Sequence, residues 1–298
     1  MSHTKAAAPS SLRMRSWLFA PGDSARKCEK AIASEADIAL LDLEDSVVPE
    51  AKADARKLVA KALSQVEDTA RVWVRVNPLS SGLTGADLDA VVAARPGGVF
   101  LPKSESGKDV ARLDALLAER EDAAGLTCGA IKVAALVTET AAAMFTTGTY
   151  EGAPRLVAMS WGAEDLSSEI GATRQRGEKG EYAPVYELAR SLCLLGAVKA
   201  RVAPIETVQP EFRDLEALER RARAVRAQGF RGMLAIHPAQ VAPINAAFTP
   251  SEAELDHARA VVAAFTDNPG AGAVSLDGNM LDRPHLALAQ RLLAEHAG

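Results

Sequence analysis

Short apolar runs recur along the chain from Trp17 onward, and longer stretches with helical periodicity separate them. This alternation is typical of repeated βα units around a parallel sheet. The runs cover residues 16–20, 37–43, 71–76, 97–102, 131–137, 155–160, 200–205 and 231–236. Eight parallel strands are the number that closes a (β/α)8 barrel. The sequence therefore predicts an α/β fold, a TIM barrel with a C-terminal helical extension and flap.

The alternative fold is an open, doubly wound sheet. Such a sheet normally carries a glycine-rich phosphate-binding turn after its first strand. Here the first run is followed by Pro21-Gly22-Asp23, which is too short for that turn. The closed barrel is therefore favoured.

Three regions are expected: a disordered leader at 1–14, a barrel catalytic domain at 15–248 and a C-terminal extension at 249–298. In the extension, Ser251 is a candidate N-cap, with Glu254 placed for a capping box, of a helix that runs to about Phe265. The segment 267–283 is rich in Gly, Asp and Asn, and a last helix follows with Pro284 near its start. We expect 267–283 to be a flap without secondary structure of its own.

The composition excludes several classes of function. A net charge of -5 gives no general attraction for a polyanion, so nucleic-acid binding is not expected. Cys28, Cys128 and Cys193 are widely spaced and odd in number, which argues against a disulfide framework or a structural zinc site. No apolar run reaches the roughly 20 residues of a membrane span. A reducing, cytoplasmic location is the expectation.

Polar residues follow most of the predicted strands at their carboxyl ends, where the loops of a barrel converge on one mouth. In chain order they are Asp42, Glu44, Asp45, Arg75, Asn77, Lys103, Glu139, Glu164, Asp165 and His237. Glu139 and Asp165 follow adjacent strands and offer two hard oxygen ligands, which suits Mg²⁺ with positions left for water and substrate. Such a mouth fits a 2-keto acid chelated through its carboxylate and carbonyl.

Residues near this pair have candidate roles as well. Glu44 and Asp45 are placed to accept hydrogen bonds from the metal's waters, and Arg75 to bind a carboxylate or a developing oxyanion. A structural interpretation is equally open at this point. Glu139 and Asp165 would then cap the helices after their strands, and Arg75 would form an ion pair with Asp45.

Two further polar residues fit structural roles better than chemical ones. His237 precedes Pro238 at a helix start and fits a structural histidine better than a base. Lys103 fits a partner for a mouth carboxylate better than a Schiff-base nucleophile, because nothing near it in the sequence indicates desolvation.

A set of motifs resembles a known family. They are LFAPGD (18–23), LLDLEDSV (40–47), VRVN (74–77), VFLPKSES (99–106), WGAEDL (161–166), YELARS (186–191) and GFRGMLAIHPAQV (229–241). In order and spacing these segments are similar to the citrate lyase β-subunit-like family of the HpcH/HpaI aldolase and citrate lyase superfamily, which includes malyl-CoA and citramalyl-CoA lyases. The resemblance covers roughly residues 15–265.

The resemblance implies a (β/α)8 barrel in which Glu139 and Asp165 bind Mg²⁺. It implies that Arg75 binds substrate and stabilises an oxyanion, and that Glu44 and Asp45 are further acidic residues of the catalytic site.

The motif WGAEDL also implies substrate contacts for Gly162, Ala163 and Glu164. One departure is Thr138, which stands where isoleucine is expected before the metal-binding glutamate.

The segment DGNMLDRP (277–284) resembles a C-terminal flap that, in family members acting on thioesters, carries an acidic catalyst to the mouth of a neighbouring subunit. The resemblance places that catalyst at Asp282, with Asp277 as the weaker candidate. The alternative is that Asp282 or Arg283 caps the last helix. A homotrimer or hexamer with shared active sites is implied.

A CoA thioester carries phosphates that need local cations in an acidic protein. The first βα loop and helix offer Arg26, Lys27 and Lys30, and Arg15 lies just before the first strand. These four residues are the candidates for CoA binding.

The implied activity is a Mg²⁺-dependent carbon–carbon lyase. It would cleave or form a 3-hydroxyacyl-CoA such as malyl-CoA or citramalyl-CoA, giving acetyl-CoA or a homologue plus a 2-keto acid. A pyruvate aldolase acting on free acids would share the metal site but would not need the flap. An acyl-CoA thioesterase would differ only in the fate of the intermediate, and a non-catalytic barrel protein is the remaining alternative.

Overall fold

The computed structural model describes residues 12–178 and 180–296. Most of the predicted leader, residues 1–11, lies outside the described residues. Residues 12–248 form one compact unit, and the chain from residue 249 onward belongs to a second. Each unit is described by itself.

Within residues 12–178 and 180–248, eight parallel strands close into a barrel in chain order. The closing contact pairs Trp17 of the first strand with Leu234 of the last. The strands are β1 (Ser16–Pro21), β2 (Ile38–Asp42), β3 (Val72–Arg75), β4 (Gly98–Leu101), β5 (Lys132–Leu136), β6 (Leu156–Ser160), β7 (Ala203–Glu206) and β8 (Gly232–Ala235). The predicted (β/α)8 barrel is confirmed.

Helices surround the barrel and cover its outer face. They are α1 (Ala25–Ile32), α2 (Lys52–Ser64), α3 (Thr84–Val91), α4 (Gly107–Ala123), α5 (Ala141–Met144), α6 (Glu164–Ile170), α7 (Pro184–Ala200), α8 (Leu215–Ala227) and α9 (Val241–Phe248). Strand β7 begins later than the predicted residue 200, because α7 continues to Ala200. Arg201 ends this helix in the left-handed conformation.

Aromatic side chains fill the inside of the barrel and leave room for a cavity at one end. Trp17 and Trp73 meet edge to face, with ring centroids 5.0 Å apart, and Phe100 packs beside them. A Cβ atom at Gly98 would lie 2.5 Å from the ring of Trp73, so the neighbouring strand needs glycine at this position. The filled interior supports the strand ends that carry the polar residues.

The second unit is built from α10 (Glu252–Thr266), β9 (Ala273–Leu276), β10 (Asn279–Asp282) and α11 (Arg283–His296). The predicted capping box is present, since Ser251 and Glu254 bond each other's backbone N–H groups. Phe265, Leu281 and Ala289 form part of a small core.

The flap was predicted to lack secondary structure, and this prediction is wrong. Its strands β9 and β10 pair as an antiparallel hairpin. Asp277 and Gly278 form the turn, with φ angles of 49° and 80°. Two consecutive positive φ angles are required by a type I′ turn, which Asp-Gly adopts readily. None of the helices in residues 12–178 and 180–296 combines the length and apolar character needed to cross a membrane.

Candidate active site

A cavity of about 360 Å³ opens at the carboxyl ends of the barrel strands. This is the end at which TIM-barrel enzymes carry their chemistry. The cavity is lined by Phe19, Pro21, Asp42, Asp45, Ser46, Arg75, Leu136, Glu139, Trp161, Gly162, Ala163, Glu164, Asp165, Thr207, Val208, Leu234 and Ile236. The structure thus brings together the predicted site residues of strands 2, 3, 5 and 6.

Arg75 is the cation of the cavity wall, and neighbouring groups hold it rigidly. It ends β3 directly beside Asp42, the last residue of β2. Nε donates to Asp42 Oδ1 and Nη2 to Asp42 Oδ2, both at 2.7 Å. Nη1 lies 2.9 Å from Glu44 Oε2, and the guanidinium stacks on the ring of Phe19 at 4.8 Å. The planar group therefore has a fixed orientation in the cavity.

The carboxylates determine the charge state of Arg75. Burial alone would lower the pKa of Arg75, but the charge and hydrogen bonds of Asp42, with the charge of Glu44, raise it above its usual value. The predicted structural ion pair with Asp45 is loose, at 3.7 Å. Asp42 is instead the main partner, a role that the sequence analysis did not assign.

Lys103 pairs with mouth carboxylates, as predicted. Its Nζ lies 2.6 Å from Glu44 Oε1 and 3.1 Å from Asp165 Oδ1. Burial acts to lower the pKa of Lys103, but the hydrogen bond and charge of Glu44 raise it above its ordinary value. A charged ammonium is not a nucleophile, so this arrangement gives no support to a Schiff base.

Glu139 is buried at the centre of the carboxylate group. Its Oε2 accepts a hydrogen bond of 2.6 Å from the backbone N–H of Lys103. A Cβ atom at Gly162 would lie 3.0 Å from Glu139 Oε1, so the glycine leaves this oxygen accessible. Burial, followed by the charges of Glu44 and Asp165, raises the pKa of Glu139 above its ordinary range.

The cavity holds more negative than positive charge. Two cations, Arg75 and Lys103, face five carboxylates, those of Asp42, Glu44, Asp45, Glu139 and Asp165. Burial is the largest cause that raises the pKa of Glu44 to about 7. Glu44 Oε2 is buried and has an ion-pair contact with Arg75 but no hydrogen bond to the described residues. A divalent cation would neutralise this excess charge.

The donor set fits a hard metal ion that keeps open positions. Glu139 and Asp165 supply carboxylate oxygens, the ligand type that Mg²⁺ prefers. In residues 12–178 and 180–296, no group of three or more His, Cys, Asp and Glu side chains is arranged as a metal site. Two protein ligands would leave most of an octahedral shell to water and substrate.

The helix-cap interpretation of these two carboxylates is wrong. Helix α5 is capped by Thr140, whose side chain accepts a hydrogen bond from the backbone N–H of Ala143. Helix α6 has Ala163 as its N-cap residue, and Asp165 lies in its first turn. Glu139 and Asp165 are therefore available for a role in the cavity.

The motif that contains Asp165 is held by residues on both sides of it. Thr138 is fully buried, and its Oγ1 accepts the backbone N–H of Gly162 at 3.4 Å. The hydroxyl that replaces the expected isoleucine thus links the loops after β5 and β6. The side chain of Glu164 accepts a hydrogen bond of 2.6 Å from Gln175.

Glu206 is a buried residue of the cavity wall that the sequence analysis missed. It ends β7 and accepts hydrogen bonds from Trp161 Nε1 at 2.8 Å, Arg190 Nε at 2.7 Å and Arg221 Nη2 at 2.9 Å. Trp161 directly precedes Gly162 and lines the cavity. Glu206 therefore fixes the start of the WGAED segment. The arginine in YELARS was the available sign of a buried partner.

The four candidate cations for CoA lie at opposite ends of the barrel. Arg26, Lys27 and Lys30 are exposed on α1, which follows the carboxyl end of β1, and they make no ion pair with the described residues. Arg15 precedes β1 and bonds Asp37, which precedes β2, at 2.8 Å. The assignment of Arg15 is wrong, because it ties the amino ends of these strands together, away from the cavity.

His237 has the predicted structural role. Its Nδ1 accepts the backbone N–H of Ala239 and so caps the turn Pro238–Gln240. Its ring stacks on Phe212, with centroids 4.8 Å apart.

The acidic candidates of the flap lie in the second unit. Asp282 is the last residue of β10, and its Oδ1 lies 2.6 Å from His285 Nδ1. Asp277 is at the hairpin turn. Both side chains belong to a unit separate from the barrel, so these contacts describe the flap alone.

A closed (β/α)8 barrel with acidic residues and one fixed arginine at its carboxyl end has the architecture of an aldolase or lyase barrel. The family model for HpcH/HpaI aldolase/citrate lyase matches residues 15–238. The chain belongs to this family.

Similarity to individual family members extends over nearly the whole chain. It is 32% identical to a (3S)-malyl-CoA thioesterase of Cereibacter sphaeroides, covering 94% of each protein. It is 34% identical to a citrate lyase subunit beta-like protein of Mycobacterium tuberculosis, covering 93% of each. The structure of M. tuberculosis CitE in complex with magnesium, acetoacetate and coenzyme A matches with a TM-score of 0.79 and 32% identity, covering 96% of this chain and 99% of that one.

Proposed function

We propose that this chain is a Mg²⁺-dependent carbon–carbon lyase for a small 3-hydroxyacyl-CoA such as malyl-CoA or citramalyl-CoA. The products would be acetyl-CoA or a homologue and a 2-keto acid. The observation that carries the proposal is the excess of buried carboxylate around one fixed arginine in the cavity. The related CitE of M. tuberculosis, crystallised with magnesium, acetoacetate and coenzyme A, supports it.

Glu139 and Asp165 would hold the metal ion. When bound, Mg²⁺ would act as a Lewis acid that polarises substrate oxygens and makes the alkoxide needed for bond cleavage less costly. Lys103 would remain beside Glu44 and limit the repulsion among the carboxylates. The free carboxylate oxygens near Asp45 would accept hydrogen bonds from water and so orient the substrate.

Arg75 would stabilise the negative charge that develops on the acyl fragment. Carbon–carbon cleavage releases the 2-keto acid and leaves an enolate of the thioester. A guanidinium already fixed by Asp42 needs little reorganisation to receive that charge. Asp282 would then give a proton to the enolate carbon, and in the reverse direction it would take a proton from the acyl group.

The flap would reach the cavity of a neighbouring copy, within a homotrimer or hexamer. Support for self-association comes from α7, where Leu188, Leu195 and Val198 lie on one face with exposures of 53%, 64% and 52%. Large exposed apolar faces are characteristic of interaction surfaces. In this proposal 15–248 is the catalytic domain and 249–298 the extension that completes the neighbouring site.

Thioester hydrolysis is the second candidate, because a (3S)-malyl-CoA thioesterase is 32% identical to this chain. The two activities give different products from one substrate. A lyase releases a 2-keto acid and keeps the thioester intact, whereas a thioesterase releases the free thiol of CoA and a hydroxy acid. Product analysis therefore separates them directly.

The test is a panel of malyl-CoA, citramalyl-CoA and methylmalyl-CoA, with keto acid and free thiol measured in parallel. With Mg²⁺ present, we expect keto acid and acyl-CoA in equal amounts from at least one substrate. Chelation should abolish this turnover, and added Mg²⁺ should restore it. Free thiol without keto acid would establish hydrolysis instead, and full turnover in excess chelator would disprove the metal site.

A further inference from the structure

A histidine lies against the aspartate that we propose as the acid–base catalyst. His285 is in the first turn of α11, three residues after Asp282. Its Nδ1 is 2.6 Å from Asp282 Oδ1 and 3.2 Å from the backbone nitrogen of Asp282. The two side chains are 50% and 47% exposed. Asp282 Oδ2 makes no hydrogen bond with the described residues.

The two contacts require different tautomers of His285, because one imidazole nitrogen is either a donor or an acceptor. Accepting the backbone N–H of Asp282 needs a bare Nδ1, which would face an ionised carboxylate lone pair to lone pair. Donating to Oδ1 needs Nδ1–H. The contact with Oδ1 is the shorter one, and a distance of 2.6 Å is typical of a charge-assisted bond. The geometry thus favours donation to the carboxylate.

We infer that His285 is a positioning residue for proton transfer by Asp282, an inference that rests on the role proposed above for Asp282. Nδ1–H holds Oδ1 in place, and Oδ2 is left as the oxygen that exchanges a proton with the substrate. In the condensation direction the acyl C–H bond breaks, its proton goes to Oδ2 and its electron pair stays on the enolate. In the cleavage direction Oδ2 returns the proton to carbon and Asp282 becomes ionised.

The opposing explanation is that His285 caps α11. The residue three positions after an N-cap commonly accepts the backbone N–H of the cap residue, as Glu254 does for Ser251 in this same unit. A cap stabilises the helix whether or not Asp282 can ionise. A positioning residue acts only through the carboxylate. The two explanations therefore differ in how His285 and Asp282 depend on each other.

A double-mutant cycle of His285→Leu and Asp282→Asn tests this dependence in the full-length protein. The substrate is the thioester that is turned over in the panel above. A second readout is deuterium incorporation into the acyl group of acetyl-CoA or propionyl-CoA in D₂O with Mg²⁺, which reports the proton transfer itself. His257→Leu is the matched control, because His257 is an exposed histidine on α10 of the same unit. Thermal unfolding is measured for every variant.

We expect His285→Leu to lower kcat and the rate of deuterium incorporation by at least about tenfold, with the KM for the thioester unchanged, whereas His257→Leu retains both rates. In the Asp282→Asn background His285→Leu should cost nothing further, since residues that act as a unit are not additive. Wild-type kcat in His285→Leu, or equal losses in both backgrounds, would overturn the inference. Wild-type kcat in Asp282→Asn would instead disprove the proposed role of Asp282, and the positioning role with it.

Discussion

Arg75 differs from most surface arginines because its orientation is set before any ligand arrives. Asp42 takes two of its N–H groups in a planar, bidentate arrangement, and Phe19 supports the other face. Glu44 lies against Nη1. The arginine is therefore a pre-organised charge in a cavity, a property that lysine with its single ammonium cannot reproduce.

Arg75→Lys should lower kcat by at least about a hundredfold, the scale seen when one oxyanion-stabilising donor is lost. The charge is kept but the bidentate geometry is not. Arg15→Lys is the matched control, because Arg15 also binds a carboxylate through two nitrogens, at the amino end of the barrel. Steady-state kinetics of both variants would decide the matter. A near-normal kcat in Arg75→Lys would mean that Arg75 has a structural role alone.

Glu139→Gln and Asp165→Asn should each abolish turnover and weaken Mg²⁺ binding, because each removes one anionic oxygen ligand. Binding can be measured without substrate, by calorimetry with Mg²⁺. Glu169→Gln is the control, since Glu169 is an exposed carboxylate of α6 outside the cavity wall. Unchanged metal affinity in both site variants would contradict the assignment of these two residues as ligands.

Much of this residue-scale site was predictable, because parallel strands bring their carboxyl ends to one mouth. Chain order alone therefore placed Arg75, Glu139 and Asp165 together. The pairing of Arg75 with Asp42 was not predictable, since it depends on the register between β2 and β3. Glu206 was missed for a related reason: its arginine partners lie on two helices whose rotation about the barrel the sequence does not specify.

At the scale of elements, Glu206 joins β7, α7 and α8 to the loop after β6. Its carboxylate is fully buried and accepts bonds from three side chains. Glu206→Ala should therefore lower the free energy of unfolding by about 3–5 kcal/mol, the usual cost of leaving buried charges unpaired. Glu187→Ala is the control, because Glu187 meets Arg190 only at 3.5 Å and is half exposed. Chemical denaturation would measure both, and a cost under about 1 kcal/mol for Glu206→Ala would contradict the argument.

Element boundaries show where sequence patterns are weakest. The eight strands were found because buried apolar runs are strong patterns, whereas the start of β7 was misplaced by apolar residues that belong to the end of α7. The hairpin was missed because the abundance of Gly, Asp and Asn suggested an irregular loop. Asp277-Gly278 between short alternating strands was the indication of a tight turn.

Helix α1 is the element that we expect to bind the phosphates of CoA, through Arg26, Lys27 and Lys30. All three are exposed and have no ion pair with the described residues, so their charge is available to a ligand. Charge reversal in Lys27→Glu/Lys30→Glu should raise the KM for the thioester at least about tenfold and leave kcat near wild type, because the phosphates lie far from the reacting carbon. Lys57→Glu/Lys61→Glu on α2 is the matched control. An unchanged KM would place the phosphates elsewhere.

At the scale of the whole molecule, the chain divides the proposed chemistry between two units. The metal ligands and Arg75 belong to residues 12–248, and Asp282 belongs to the second unit. A catalytic acid on a separate unit can serve the cavity of its own chain or that of a neighbouring copy. The family resemblance of the flap favours the neighbouring copy.

Mixed oligomers separate these two arrangements. Glu139→Ala and Asp282→Asn should each be inactive alone, for want of a metal ligand and of a proton donor respectively. If subunits exchange and sites are shared, some mixed sites combine an intact cavity from one chain with an intact Asp282 from the other. Activity should therefore return on mixing, to a fraction set by the subunit ratio. Differently tagged variants purified together would verify that the oligomers are mixed. Verified mixed oligomers without activity would mean that the flap serves its own chain, or that Asp282 only caps α11.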